Sequence, residues 1–241
     1  MLRWHAEVAE QMTKHDDDRR RFLAGLGAGG LLAATQRPSF AAAKPGHDEV
    51  SPTEDLMREH GILRRLLLVY REMLRRADAG QDLQPEPMAR SAQIIRDFIE
   101  GYHERDEEEY IFPRFQKAGR MIELVNTLLE QHRAGRRLTA VILRLSTAVG
   151  LANSSDRRQL VESMRLFVRM YEPHAAQEDT VLFPAFRELV GRKQLAQLQD
   201  IFEDKENALP GGGFEKVVVE VTKIEQAVGI ADLAGFTPNV P

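Results

Sequence analysis

Two stretches of this chain repeat a spacing of histidine and carboxylate. Residues 102–115, YHERDEEEYIFPRF, return at 173–186 as PHAAQEDTVLFPAF. Each copy reads His, three residues, Glu, an acidic residue, three residues, then Phe-Pro-x-Phe. On a helix, residues four apart lie one above the other, so His103 with Glu107, and His174 with Glu178, each direct an imidazole and a carboxylate the same way. That is the geometry of a metal-ligand pair. Two further histidines precede the copies at matching distances, His60 lying 43 residues before His103 and His132 lying 42 before His174. The chain is thus two helix-pair repeats, each offering a His from its first helix and a His and a Glu from its second.

The elements that must position these residues follow from hydrophobic spacing. Ser51-Pro-Thr-Glu54 has the form of a capping box with proline at a tolerated first-turn position. Leu56, His60, Leu63, Leu67, Tyr70 and Leu74 then form one stripe at helical spacing. Residues 78–87 form a loop, and a second helix is expected over about 88–111, ended or bent by Pro113. A third spans 121–149 and carries Leu124, Leu128, His132 and Thr139. A fourth opens after the polar run 153–156, uses Leu160, Met164, Phe167, Val168 and Tyr171, and should kink at Pro173. Four such helices joined by short loops predict an all-α fold, an antiparallel up-down-up-down four-helix bundle over 51–190. Residues 191–241 read as a C-terminal helical extension and tail, with a fifth helix near 193–206 and a VVVEV run ambiguous between helix and strand.

The 241 residues contain no cysteine, which excludes disulfides, thiolate metal sites and cysteine nucleophiles. Any metal must use nitrogen and oxygen donors. A hydrophobic content of 43% is ample for one core, and a formal charge of −4 gives no electrostatic ground for a nucleic-acid partner. Residues 1–43 do not look like part of the fold. Three arginines at 19–21 run into Phe22 and Leu23, then into a short Gly/Ala/Leu stretch and the small-residue end Ala41-Ala42-Ala43. This resembles a twin-arginine export signal, carried by Arg19, Arg20, Phe22 and Leu23, and the apolar stretch is short for a membrane span. Three aspartates just before the arginines depart from the usual pattern. The resemblance implies cleavage after Ala43, a linker over 44–50 containing a bystander His47, a periplasmic destination, and a mature chain without a membrane span.

The order His60, His103-x-x-x-Glu107, His132, His174-x-x-x-Glu178 resembles the hemerythrin family, in its HHE cation-binding branch, over about residues 53–190. The resemblance implies two non-haem iron ions sharing an oxo or hydroxo bridge inside the bundle. It makes the four histidines terminal ligands and Glu107 and Glu178 bridging carboxylates. Members that carry oxygen reversibly have a fifth histidine, and no fifth is available here. Four imidazoles, two bridging carboxylates and the oxygen bridge leave about one open position per iron. Glu104, or a tyrosine among Tyr70, Tyr102 and Tyr171, offers a further ligand. The competing ferritin-like motif, Glu-x-x-His on two helices, matches Glu100 and His103, but its second copy holds Tyr171. Zinc sites take fewer ligands than six, and a metal-free bundle would bury four imidazoles and two carboxylates without partners, at a high cost.

The expected function is binding of metal ions and of O2 or a related small ligand, NO or peroxide. The alternatives are a di-iron redox enzyme, its electron donor unidentified, or an iron-binding or storage protein. Asp106, Glu108, Glu109 and Asp179 are expected on the solvated helix face. The Phe-Pro pairs at 112–113 and 183–184 are expected to close one end of the metal pocket.

Overall fold

A computed structural model describes residues 51–241 apart from 210, 211, 239 and 241. The export-signal residues Arg19, Arg20, Phe22 and Leu23, the linker 44–50 and Gly211 lie outside the described residues. The described chain is all-α.

Helix α1 is Pro52–Asp78. Its capping box is complete: the Glu54 backbone N–H donates to Ser51 Oγ, and the Ser51 N–H donates to Glu54 Oε2 at 2.8 Å. The predicted stripe from Leu56 to Leu74, His60 included, is buried, and Ile62, Leu66, Val69 and Met73 widen it.

Helix α2 is a continuous run over 85–118 with two wide stretches. It is α-helical over Pro85–Ile94, π-helical over Ile95–His103, α-helical over Glu104–Asp106, π-helical over Glu107–Ile111 and α-helical over Phe112–Ala118. Pro113 therefore does not end the helix, one of the two outcomes expected from the sequence. A proline ring clashes with the carbonyl four residues back, here that of Glu109. Glu109 lies in the π-helical stretch, and the wider turn accommodates the ring. The run ends instead at Gly119, in the left-handed region at φ 67°.

Helix α3 is Ile122–Leu145, shorter than expected, and α4 is a five-residue turn of helix, Ala148–Ala152, capped by Thr147. Helix α5 runs over 154–207, starting from Asn153, whose side chain accepts from the N–H groups of Ser155 and Asp156. It is α-helical over Ser154–Gln177, π-helical over Glu178–Leu182 and α-helical over Phe183–Asn207. Pro173 lies within the first of these stretches without interrupting it. Pro184 follows the π-helical stretch as Pro113 does, so the device repeats with the sequence. Gly191 (φ 71°, ψ 169°) breaks the run and redirects its last part.

Helices α1 and α3 each pack against α2 and α5, the arrangement of a four-helix bundle with alternating directions. Helix α6, Phe214–Val228, lies against α1 and α2. Its ambiguous valine run is helical because Val221, Ile224 and Val228 share one face and bury it in the bundle core. Arg65 fastens it, its guanidinium donating to Glu225 Oε1 at 2.8 Å, to Glu225 Oε2 at 2.6 Å and to Thr222. No helix among the described residues is long and apolar enough to cross a membrane.

Two apolar clusters fill the interior. One runs from Ile62 through Tyr70, Phe98, Ile142, Phe167 and Tyr171 to Val228. The other holds Leu56, Phe112, Phe115, Leu128, Phe183, Phe186 and Phe202. His60 sits on α1 between Leu56 of the second cluster and Ile62 of the first.

Candidate metal centre

All six residues singled out by spacing are buried, and they meet. His60 and His103 lie with ring centroids 4.7 Å apart, and His132 and His174 with centroids 5.0 Å apart. Donor atoms of His60, His103 and Glu107 group within metal-holding reach, as do those of His132, His174 and Glu178. Each carboxylate also touches both imidazole pairs. Glu178 Oε2 is 3.3 Å from His60 Nε2 and 3.0 Å from His174 Nε2. Glu107 Oε2 is 3.8 Å from His103 Nε2 and 3.4 Å from His132 Nε2.

The other nitrogen of every imidazole is spoken for. His60 Nδ1 bonds Asp179 at 2.7 Å, His103 Nδ1 bonds Glu59 at 2.7 Å, His132 Nδ1 bonds Glu108 at 3.0 Å and His174 Nδ1 bonds Gln131 at 2.8 Å. Each acceptor is an oxygen, so a neutral imidazole here carries its hydrogen on Nδ1 and presents an Nε2 lone pair inward, and the Nε2 atoms of His60 and His103 come within 3.1 Å of each other. Facing these lone pairs are four carboxylate oxygens. Both oxygens of Glu107 and of Glu178, and Nε2 of His132, are buried without a hydrogen-bond partner. Acceptors turned on acceptors in a buried pocket are unfavourable unless protons or a cation lie between them. Six nitrogen and oxygen donors of this kind suit a borderline transition metal, and iron is among them. The residues present therefore fit bound metal.

The electrostatics of the protein alone show the same strain. Burial pushes the Glu107 carboxyl well above the usual range, and the Glu178 charge adds to the shift. Burial would also raise Glu178, but positive charge at the His174 and His60 imidazoles beside it, which a metal ion would replace, holds it well below. Burial depresses His103, and the neighbouring His60 adds to the effect. His60 is likewise disfavoured by burial, yet Asp179 and Glu178 raise it overall.

Two sequence expectations change. Glu108 and Asp179 are not merely solvated face; they hold imidazoles in orientation and are themselves bound by Arg136 and Arg64. Asp106 is 1% exposed and paired with Lys205, whereas Glu109 stays on the surface and shares that lysine. Glu104 has both oxygens engaged, one accepting from the Tyr171 hydroxyl at 2.6 Å and the other from Arg136 at 2.8 Å. It stands beside the centre, 3.9 Å from His132 Nδ1, and groups with Glu108 and His132 within metal-holding reach. Tyr102 donates to the Phe202 carbonyl, and Tyr70 is buried with its hydroxyl unpartnered. Glu100, the carboxylate of the ferritin-like spacing, belongs to neither donor group and lies beside Thr139.

Sequence reasoning missed Glu59 and Gln131 altogether. The signal was there: each precedes the first histidine of its repeat, as Glu108 and Asp179 each follow its glutamate. Phe183 stacks on the His60 ring at 5.7 Å and Phe112 lies against His132 at 5.5 Å, so the two Phe-Pro motifs cover the imidazoles from one side.

Residues 51–147 and 123–209 match the family model described as the hemerythrin HHE cation binding domain. An uncharacterised protein of Mycobacterium tuberculosis and another of Mycobacterium bovis are each 45% identical over 191 residues, covering 79% of this chain and 75% of theirs. No solved structure matches. With the repeated His-x-x-x-Glu pairs converging in one helical bundle, the chain belongs to the hemerythrin HHE cation-binding domain family.

Proposed function

We propose that this chain is a non-haem di-iron protein that binds O2 or a related small ligand, NO or peroxide, within its bundle. The observation that carries the reading is that each of two buried carboxylates, with no hydrogen-bond partner, contacts imidazoles of both pairs. His60, His103, His132 and His174 would be the terminal ligands, and Glu107 and Glu178 would span the two ions. Bound iron would supply Lewis acidity and reversible electron exchange to a small ligand. The remaining work belongs to the chain. Asp179, Glu59, Glu108 and Gln131 fix the tautomers so that all four Nε2 lone pairs point inward. Phe112 and Phe183 exclude water from one side, and the apolar clusters keep the layer away from bulk solvent.

Export by the twin-arginine route is part of the same proposal and rests on Arg19, Arg20, Phe22 and Leu23 alone. Changing Arg19→Lys and Arg20→Lys together should retain the precursor in the cytoplasm, and undiminished export would refute it. For the centre, iron content and absorption spectra through repeated anaerobic and aerobic cycles are the decisive measurement. Two irons per chain with a spectrum that reverses on removing O2 support a binder. Irons that oxidise once and stay ferric support the redox-enzyme alternative. Glu107→Ala or Glu178→Ala should drop iron below two per chain; an unchanged content would remove the spanning role.

A further inference from the structure

The four acceptors behind the imidazoles follow the repeat in position but not in charge. His60 and His132 are matched, since Asp179 and Glu108 behind them are both carboxylates and are both bound by an arginine, Arg64 and Arg136. His103 and His174 are not matched. Behind His103 stands Glu59, 3% exposed, whose carboxyl bonds that imidazole alone among the described residues and, with no cation bonded to it there, is pushed well up by burial. Behind His174 stands Gln131, a neutral amide. A carboxylate on the Nδ1–H of a metal-binding imidazole raises the basicity of Nε2 and hence its hold on a cation, and an amide does so far less.

Access differs in the same sense. Gln131 and Pro173 line a surface groove of about 500 Å3 with Leu138, Leu166, Arg137 and Arg169. Glu59 is buried.

Resting on the two-ion reading above, we infer that the two positions are unequal: the His60/His103 position retains its ion tightly. The His132/His174 position holds its ion less tightly and exchanges it more readily. Glu104 places one more carboxylate on the exchangeable side and its charge favours a cation at His132, while Tyr171 and Arg136 hold both its oxygens in place.

The test is an anaerobic calorimetric titration of the metal-free full chain with Fe(II), repeated with Co(II). The wild type should take two ions in separate steps whose dissociation constants differ by roughly 10- to 100-fold, the usual effect of an outer partner. Gln131→Glu, which preserves shape, should tighten the second step about tenfold and leave the first. Glu59→Gln should weaken the first step towards the second, and Glu104→Gln should move the second less than Gln131→Glu does. Far-ultraviolet circular dichroism and urea midpoints confirm that each variant is folded. Two ions with equal constants, or a second step indifferent to Gln131→Glu, overturn this inference alone. One ion or none in the wild type overturns the two-ion reading and this inference with it.

Discussion

Replacing Glu107 with methionine should reverse the order of stability between the metal-free and the metal-loaded protein. Glu107 is fully buried, and neither of its oxygens has a hydrogen-bond partner. Burial also drives its carboxyl towards the neutral form. A buried polar group without partners costs about 1–3 kcal/mol, and replacing a buried ionic group by an apolar one of similar volume is often neutral or stabilising by about 1–4 kcal/mol. Methionine is unbranched and adapts to irregular space. No new orphan arises at His132, whose Nε2 already lacks a partner. In chelator at neutral pH, Glu107→Met should therefore be more stable than wild type by about 1–3 kcal/mol. Adding Fe(II) anaerobically at 100 times its dissociation constant stabilises the native state by about 2.7 kcal/mol per independently bound ion. The wild type should gain at least that much and the variant much less, so the two curves exchange places. Urea unfolding followed by circular dichroism, with and without metal, measures all four values. A metal-free variant less stable than wild type by more than about 1 kcal/mol would mean that Glu107 is satisfied in the empty protein, and the case for a cation from its orphaned oxygens would fail.

A side chain at Gly135 would overlap the Tyr171 phenol, whose ring carbons Cε2 and Cζ stand 2.8 Å from the site of an added Cβ. Gly135→Ala should cost about 1–3 kcal/mol and shift the near-ultraviolet signal of tyrosine; a cost below about 0.5 kcal/mol would show that the ring moves freely. Burial raises Glu100 to about 7. Because its folded value lies above the unfolded one, stability should decline as pH rises from the ordinary carboxylate range towards 7. Glu100→Gln should flatten that part of the profile, and an identical profile would remove Glu100 as its source. Arg65→Ala leaves Glu225, 8% exposed, without its guanidinium and should weaken the docking of α6 by about 2 kcal/mol. Hydrogen exchange should then quicken by roughly thirtyfold within Phe214–Val228 and not in α3, whereas uniform quickening would place the loss elsewhere.

The six donors were legible because unlike residue types seldom recur together at a fixed spacing without a shared task, and the helix period alone puts His103 over Glu107. The orienting residues escaped because a residue beside a ligand points some 100° away on its own helix wheel. Glu108 and Asp179 turn away from the centre on their own helices, yet each meets an imidazole arriving from another helix. The spacing along one helix does not carry that information. The π-helical stretches escaped for a related reason. Pro113 and Pro184 look like helix ends under α-helical rules, and only the wider turn before each lets the chain continue to Phe115 and Phe186. The valine run of α6 was settled by tertiary burial of Val221, Ile224 and Val228, which overrides the strand preference of valine.

The crossing of partners between the repeats bears on the history of the chain. His60 is oriented by Asp179 and His132 by Glu108, so each half borrows the aim of its first histidine from the other. Glu178 leans on His60, and Glu107 on His132. One half alone has two imidazoles and one carboxylate, with one imidazole free to turn away. Before any duplication of such a unit, an ancestor of half this length would have had a complete set of aimed donors only where two copies met about a twofold axis. Within a single chain that meeting is fixed by the bundle, and positions 59 and 131 need not be alike.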